Sequence, residues 1–209
     1  MTLVTISAAY GTGGSRIAPA LAERLGVPFL GRPPAPDLVD PGEEARACDE
    51  SGGSGPGRLL SRIASIGLAW GTPAGMSFDE LLPDQALRLE IEQEIHDLAA
   101  VGAGVILGRG AAVILHGDAR ALHVLLDGSV EARVRQAMEI EGIDRQTAER
   151  RLNRVDRFRR AYIDTLYGVD LHEPGICHLV LDSTAIPLDD CVELIAAAAA
   201  ARNPRAATP

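Results

Sequence analysis

The sequence predicts an α/β domain in which a five-stranded parallel sheet lies between two layers of helices. Three observations predict it. Short apolar, β-branched runs alternate with helical patterns, as expected of strands buried on both faces. The first run, Leu3–Ser7, passes at once into Gly11-Thr12-Gly13-Gly14 and then into a helical pattern. The unusual residues gather just past strand ends, at Tyr10–Ser15, Gly108–Gly110, Asp127 and Ser183-Thr184. In a parallel sheet that edge is where ligands bind.

The elements follow in order. After the first strand, Ser15–Leu25 carries apolar residues at 17, 18, 21, 22 and 25, a helical spacing closed by Gly26. Pro19 lies inside this pattern, either near the first turn, where proline costs little, or as a bend. Val27–Leu30 reads as a second short strand. Residues 31–57 are rich in Pro, Gly and acid, lack periodicity and read as a mobile insertion. Arg58–Trp70 reads as a helix and Gly71–Ser77 as a loop, with Met76 and Phe78 as lining candidates. Leu81–Val101 is a long amphipathic helix, Gly104–Leu107 a buried strand, and Ala121–Leu126 another. Val130–Glu141 and Arg145–Leu166 are helices, His178–Leu181 the last strand, and Leu188–Arg202 an alanine-rich final helix. Asn203–Pro209 reads as a flexible tail.

The 209 residues suit one domain, 1–202, with an insertion at 31–82. No apolar run approaches the roughly 18 residues of a membrane span. The opening residues lack a basic stretch ahead of an apolar one and read as a strand, not a signal peptide. Cys48, Cys177 and Cys191 are scattered, without metal-ligand spacing, and read as cytoplasmic free thiols. A net charge of −9 argues against a nucleic-acid polymer as partner. All 20 basic residues are arginine, and seven of them fall between Arg145 and Arg160, against Glu149 and Asp156 in the same span. An acidic chain with one basic segment suits a small anionic ligand.

A strand, a glycine-rich turn and a helix N-terminus make an anion site, because backbone N–H groups converge there and the helix dipole favours negative charge. The full phosphate-loop signature is G-x-x-x-x-G-K-[ST]. Aligned on Gly13, this chain reads Ala8-Ala9-Tyr10-Gly11-Thr12-Gly13-Gly14-Ser15. Ala8 stands at the first glycine, Gly14 at the lysine, and Ser15 at the hydroxyl that normally reaches Mg²⁺. Without lysine, arginine must supply positive charge to any migrating phosphoryl group, and its planar fork matches phosphate oxygens.

Ile6-Ser7, Tyr10–Gly14, Ile17 and Leu21–Phe29 resemble the opening of the cytidylate kinase-like family, which itself lacks the usual lysine. Gly104–Ala111, Arg150-Arg151, Arg154–Arg157 with Arg159, Tyr162, Tyr167–Asp170 and Leu179–Thr184 extend the resemblance in order. It implies a P-loop NTPase-type α/β/α domain with a helical lid at 145–167 and acceptor binding at 31–82. It further implies an ATP- and Mg²⁺-dependent nucleoside monophosphate kinase, a cytoplasmic transferase acting on a small-molecule nucleotide. Arg154, Arg159 and Asp156 are then the catalytic candidates. Tyr10, Gly11, Thr12, Gly13, Gly14, Ser15, Arg16, Arg109, Arg157, Ser183 and Thr184 are the phosphate- or nucleotide-binding candidates, with Ser15 toward Mg²⁺. Asp156 orients an arginine or contacts a base, and Tyr10 packs over the loop or against the base.

Other roles stay two-sided. Arg109, between two glycines at a strand end, grips an acceptor phosphate or makes a structural ion pair. Asp127 holds Mg²⁺-bound water or belongs to the helix-capping run Asp127-Gly128-Ser129. Arg16 partly replaces the lysine or, being one residue further on, leaves in another direction. The five histidines show no triad or metal spacing. Ala8 and Ala9 stand where the family carries basic and polar residues, and Gly110 where cytidylate kinases carry an acid. Those departures sustain an alternative, a non-catalytic nucleotide-binding or regulatory module with a degenerate loop.

Overall fold

The computed structural model describes residues 2–31, 85–173 and 175–202. The readings placed on Arg58–Trp70, Gly71–Ser77, Met76, Phe78 and the 203–209 tail lie outside the described residues, as does all but one residue of 31–57. By its contacts the chain divides into two compact units, Met1–Gly31 with Glu92–Pro209, and Arg32–Ile91. The second unit is described only in the opening of one helix.

Five parallel strands form the sheet: β1 (Leu3–Ala8), β2 (Phe29–Leu30), β3 (Gly104–Leu107), β4 (Ala121–Asp127) and β5 (Leu179–Asp182). Their spatial order is β2-β3-β1-β4-β5, so β1 is central. Helices α1 (Gly14–Leu25), α2 (Gln85–Val101), α3 (Ala111–Ile114), α4 (Val130–Glu141), α5 (Arg145–Tyr167) and α6 (Leu188–Arg202) complete the described fold. All five expected strands are present, with small shifts. Pro28 has no N–H to give the ladder, so β2 narrows to two residues, although its carbonyl still accepts from Val105 N. At the other edge Asp127 pairs with Asp182, carrying β4 and β5 one residue further than their apolar runs. The short α3 escapes the periodicity argument because one turn is too brief to show a repeat.

Val4, Ile6 and Ala8 of β1, with Val105, Leu107, Leu122, Val124 and Leu126, pack against Ile17, Leu21 and Ala22 of α1 and Cys191, Ile195 and Ala199 of α6. The alternate positions Leu3, Thr5, Ile106, Ala121, His123 and Leu125 are also buried, so the three central strands β3, β1 and β4 are covered on both faces. That burial explains why the strands read as near-continuous apolar runs. Pro19 sits in the second turn of α1, where it offers Ser15 no N–H to accept. Ser129 and Asp144 cap α4 and α5 by accepting from Ala132 N and Thr147 N. The capping run thus acts through Ser129, and Asp127 stays at the strand end.

Candidate active site: the glycine loop and the arginine helix

The loop between β1 and α1 lies at the carboxyl edge beside the central strand. Gly11 and Gly13 take φ of 80° and 70°, values that favour glycine. A Cβ on Gly11 would lie 2.2 Å from the Arg133 carbonyl oxygen, so α4 abuts the loop backbone directly. Thr12 is fully buried, and its hydroxyl donates to Ala9 O at 2.8 Å. The buried Ser183 hydroxyl donates to Thr12 O at 2.8 Å, tying the end of β5 to the loop. Ala9, Tyr10 and Thr12 spend their N–H groups on Leu126 O, Asp156 and Ala9 O. Among the described residues, the N–H groups of Gly11, Gly13, Gly14 and Ser15 make no hydrogen bond. Gly13 caps α1 without a side-chain acceptor. Unspent donors at a helix N-terminus are suited to holding an anion.

Helices α4 and α5 close around Tyr10. Its N–H donates to Asp156 Oδ1 at 2.9 Å, and Arg133 Nη1 donates to Asp156 Oδ2 at 2.6 Å and to Tyr10 O at 3.2 Å. Arg133 Nε donates to Gly128 O, and the residue is only 7% exposed. At the far end of the ring, the Tyr10 hydroxyl donates to Glu141, which also accepts from Arg151 Nη1 at 2.7 Å. Burial first, and Glu141 second, push the Tyr10 phenol above its ordinary range. Arg159 Nη1 donates to Ala8 O at 2.6 Å. Partial burial lowers the Arg154 guanidinium from its usual value, with Tyr10 opposing that shift.

Several sequence expectations are refined here. Asp156 pairs with an arginine from outside the cluster, Arg133 of α4. The acids facing the arginine helix are not confined to Glu149 and Asp156. Glu131 of α4 pairs with Arg145, and Glu141 with Arg151. Pairs made across helices leave no trace in the spacing along one helix. Arg150 bonds Thr147, and Arg157 is exposed. Arg133 has no mark in the sequence, because it stands with Arg135 in a helix that carries no motif.

Arg109 has φ of 59°, unusual for a side-chain-bearing residue, and lies between Gly108 and Gly110, also left-handed. Its Nη1 pairs with Glu94 at 2.6 Å and its Nε donates to Gly31 O at 2.9 Å, with the side chain 7% exposed. The structural ion pair is therefore the contact observed. Gly110 is covered by Tyr167, whose ring would lie 2.9 Å from an added Cβ, which explains why no acid stands there. Arg16 is exposed and donates to Ile140 O at 3.3 Å, away from the loop. It lines a hollow of about 370 Å³ with Gln136, Glu139, Thr184, Pro187 and Leu188. Thr184 caps its own turn by donating to Asp182. Ser15 is exposed at the start of α1, and Asp127 contacts His172 at 3.4 Å. Among the described residues no three acids, histidines or cysteines converge to hold a metal, and no helix is long and apolar enough to cross a membrane.

The sequence and the fold are similar to those of known proteins. The family model of the cytidylate kinase-like family matches residues 3–185. A cytidylate kinase of Aeropyrum pernix is 30% identical over 163 residues, covering 68% of this chain and 91% of that one. An uncharacterized protein from Eubacterium ventriosum superposes with a TM-score of 0.64 at 18% identity, over 95% of this chain and 98% of that chain. A sugar kinase from Janibacter sp. HTCC2649 gives 0.51 at 18% identity, over 100% and 99%. The match along most of the chain and the phosphate-loop architecture lead to one conclusion: this chain belongs to the cytidylate kinase-like family of phosphotransferases.

Proposed function

We propose that the chain transfers the γ-phosphoryl group of ATP to a nucleoside monophosphate, with CMP as the first acceptor to test. The observation that carries this reading is the set of unspent N–H groups on Gly11, Gly13, Gly14 and Ser15, beside an arginine helix bonded to the same loop. Those donors would hold the donor phosphates, and Ser183 would keep the loop in shape through Thr12. Arg154 and Arg159, with Arg157 at the rim, would neutralise charge on the migrating group, a reaction that needs positioning and electrostatics more than a base. The hollow beside Arg16 and Thr184 suits the donor nucleoside. Arg109 would reach the acceptor phosphate by exchanging Glu94 for it, and 31–82 would complete acceptor binding.

Mg²⁺ fits the oxygen chemistry of Ser15 and Asp127 only in company with phosphate oxygens, as is usual for this ion. Bound there, it would offset charge on the phosphates. Free thiols at Cys177 and Cys191 and dependence on ATP suit a cytoplasmic enzyme.

A second reading, nucleotide binding without turnover, is favoured by Arg109 being paired and by Asp156 occupying the Tyr10 N–H. A thermal-shift screen of nucleoside mono-, di- and triphosphates with Mg²⁺ tests both. Saturation at 100 times Kd should add about 2.7 kcal/mol of stability. Stabilisation by ATP and by one class of monophosphate supports the kinase. Stabilisation by neither would overturn both readings.

A further inference from the structure

Gly14 stands where a phosphate loop carries its lysine, and the structure gives a steric reason. A Cβ added at Gly14 would lie 2.6 Å from the Ala8 Cβ, far inside contact distance. The Ala8 methyl is fixed to the end of β1 and 8% exposed, so it cannot swing aside as a long side chain would. The next neighbours, Leu107 Cδ1 and Leu126 Cδ1, lie at 3.6 and 3.7 Å, ordinary contact. Among the described residues, the Ala8 methyl is thus the group that bars a side chain at position 14. It also stands where the signature has its first glycine. The two departures from the signature are one exchange: the methyl moved from one side of the contact to the other.

The same Ala8 receives a cation from elsewhere. Arg159 Nη1 donates to the Ala8 carbonyl at 2.6 Å, which brings a guanidinium to the first residue of the loop from α5. Arg16, the nearest cation in sequence, points to Ile140 instead. Arg133 is nearby, but its fork is committed to Gly128, Tyr10 and Asp156.

We infer that Ala8 and Gly14 are a compensated pair that excludes a lysine, and that Arg159 is the loop's substitute cation for the donor phosphates. The cation then belongs to the lid helix, so charge reaches the loop only when α5 is docked. The Arg159 half of this inference rests on the nucleotide reading above; the Ala8–Gly14 half rests on packing alone.

The two halves have separate readouts. Thermal melting of the ligand-free chain reads the packing. Gly14→Lys alone should lower Tm by several degrees, and adding Ala8→Gly should recover most of that loss. A Gly14→Lys protein that melts with the unaltered chain, or a double variant no better than the single, overturns the exchange. Calorimetric titration with inorganic pyrophosphate reads the charge. Arg159→Ala should weaken binding about tenfold to a hundredfold, the worth of one charge-assisted contact. Arg159→Ala built on Ala8→Gly/Gly14→Lys should regain that affinity, because the lysine is restored. Binding that survives Arg159→Ala, or no regain in the triple variant, overturns the substitute role. An unaltered chain that ignores pyrophosphate overturns both that role and the nucleotide reading, while the melting series still judges the exchange.

Discussion

Arg133 and Asp156 hold the phosphate loop from opposite helices, and both are largely out of water, with side chains 9% and 24% exposed. Removing one partner strands the other's charge, which costs more than the pair contributes. Asp156→Ala should therefore destabilise the chain by about 3 kcal/mol, read by urea unfolding, even though Asp156 resembles a catalytic residue. Gly11→Ala should cost at least as much, because a left-handed φ and a 2.2 Å approach to the Arg133 carbonyl oppose it together. Arg154→Ala is the contrasting case. The residue lies at the surface with its guanidinium only partly covered, so melting should shift little, while any phosphoryl transfer falls on the order of 10³-fold, as when an arginine finger is lost. Steady-state kinetics beside a melting curve separate these outcomes. At this scale the sequence told most where charge was crowded. The cluster Arg145–Arg160 stood out by density along one helix and the family resemblance picked Arg154, Asp156 and Arg159 from it, whereas Arg133 owes its importance to burial and to partners on other elements.

Helix α5 and strand β4 show where patterns along the chain suffice and where they do not. The extent of α5, Arg145–Tyr167, was legible within a residue because Asp144 caps one end and Gly168 the other. The central strands were legible because burial on both faces leaves unbroken apolar runs. What β4 hides is His123, in the middle of such a run. It is fully buried, 2.8 Å from Thr5 Oγ1, and stacked on His178 with ring centroids 4.9 Å apart. Its own N–H donates to His178 Nδ1, which requires that nitrogen to be unprotonated. Burial, then the His178, His116 and Arg202 charges, push the His123 pKa down to about 4. A folded-state pKa below the unfolded value of about 6.5 means the unfolded chain takes up the proton first. The stability this group confers is full above that value and drains as pH falls from about 6.5 to about 4. The loss should amount to at most about 3 kcal/mol, with His178, also lowered, adding in the same direction. Urea unfolding at pH 7 and pH 5 should show the drop, and His123→Leu should flatten it. An equal drop in that variant would assign the slope to other groups.

At the scale of the molecule, an acidic chain concentrates arginine on one helix and docks that helix on a glycine loop at the edge of its sheet. The order β2-β3-β1-β4-β5 puts that loop at the carboxyl end of the central strand, where open parallel sheets bind ligands. Family and fold were legible in the sequence because motif order survives even where the loop lysine does not. The acceptor was not legible, because the residues proposed to read it belong to 31–82, a stretch with no motif. The central claim is that the lysine-free loop still supports phosphoryl transfer. The most direct test follows ³¹P NMR of the chain with ATP, Mg²⁺ and each nucleoside monophosphate in turn, with Arg159→Ala as the matched control. The account predicts ADP and a nucleoside diphosphate appearing in equal amounts for one class of acceptor, and their near-absence in the control. ATP and monophosphate that bind but stay unchanged, in the unaltered chain as in the control, would contradict it.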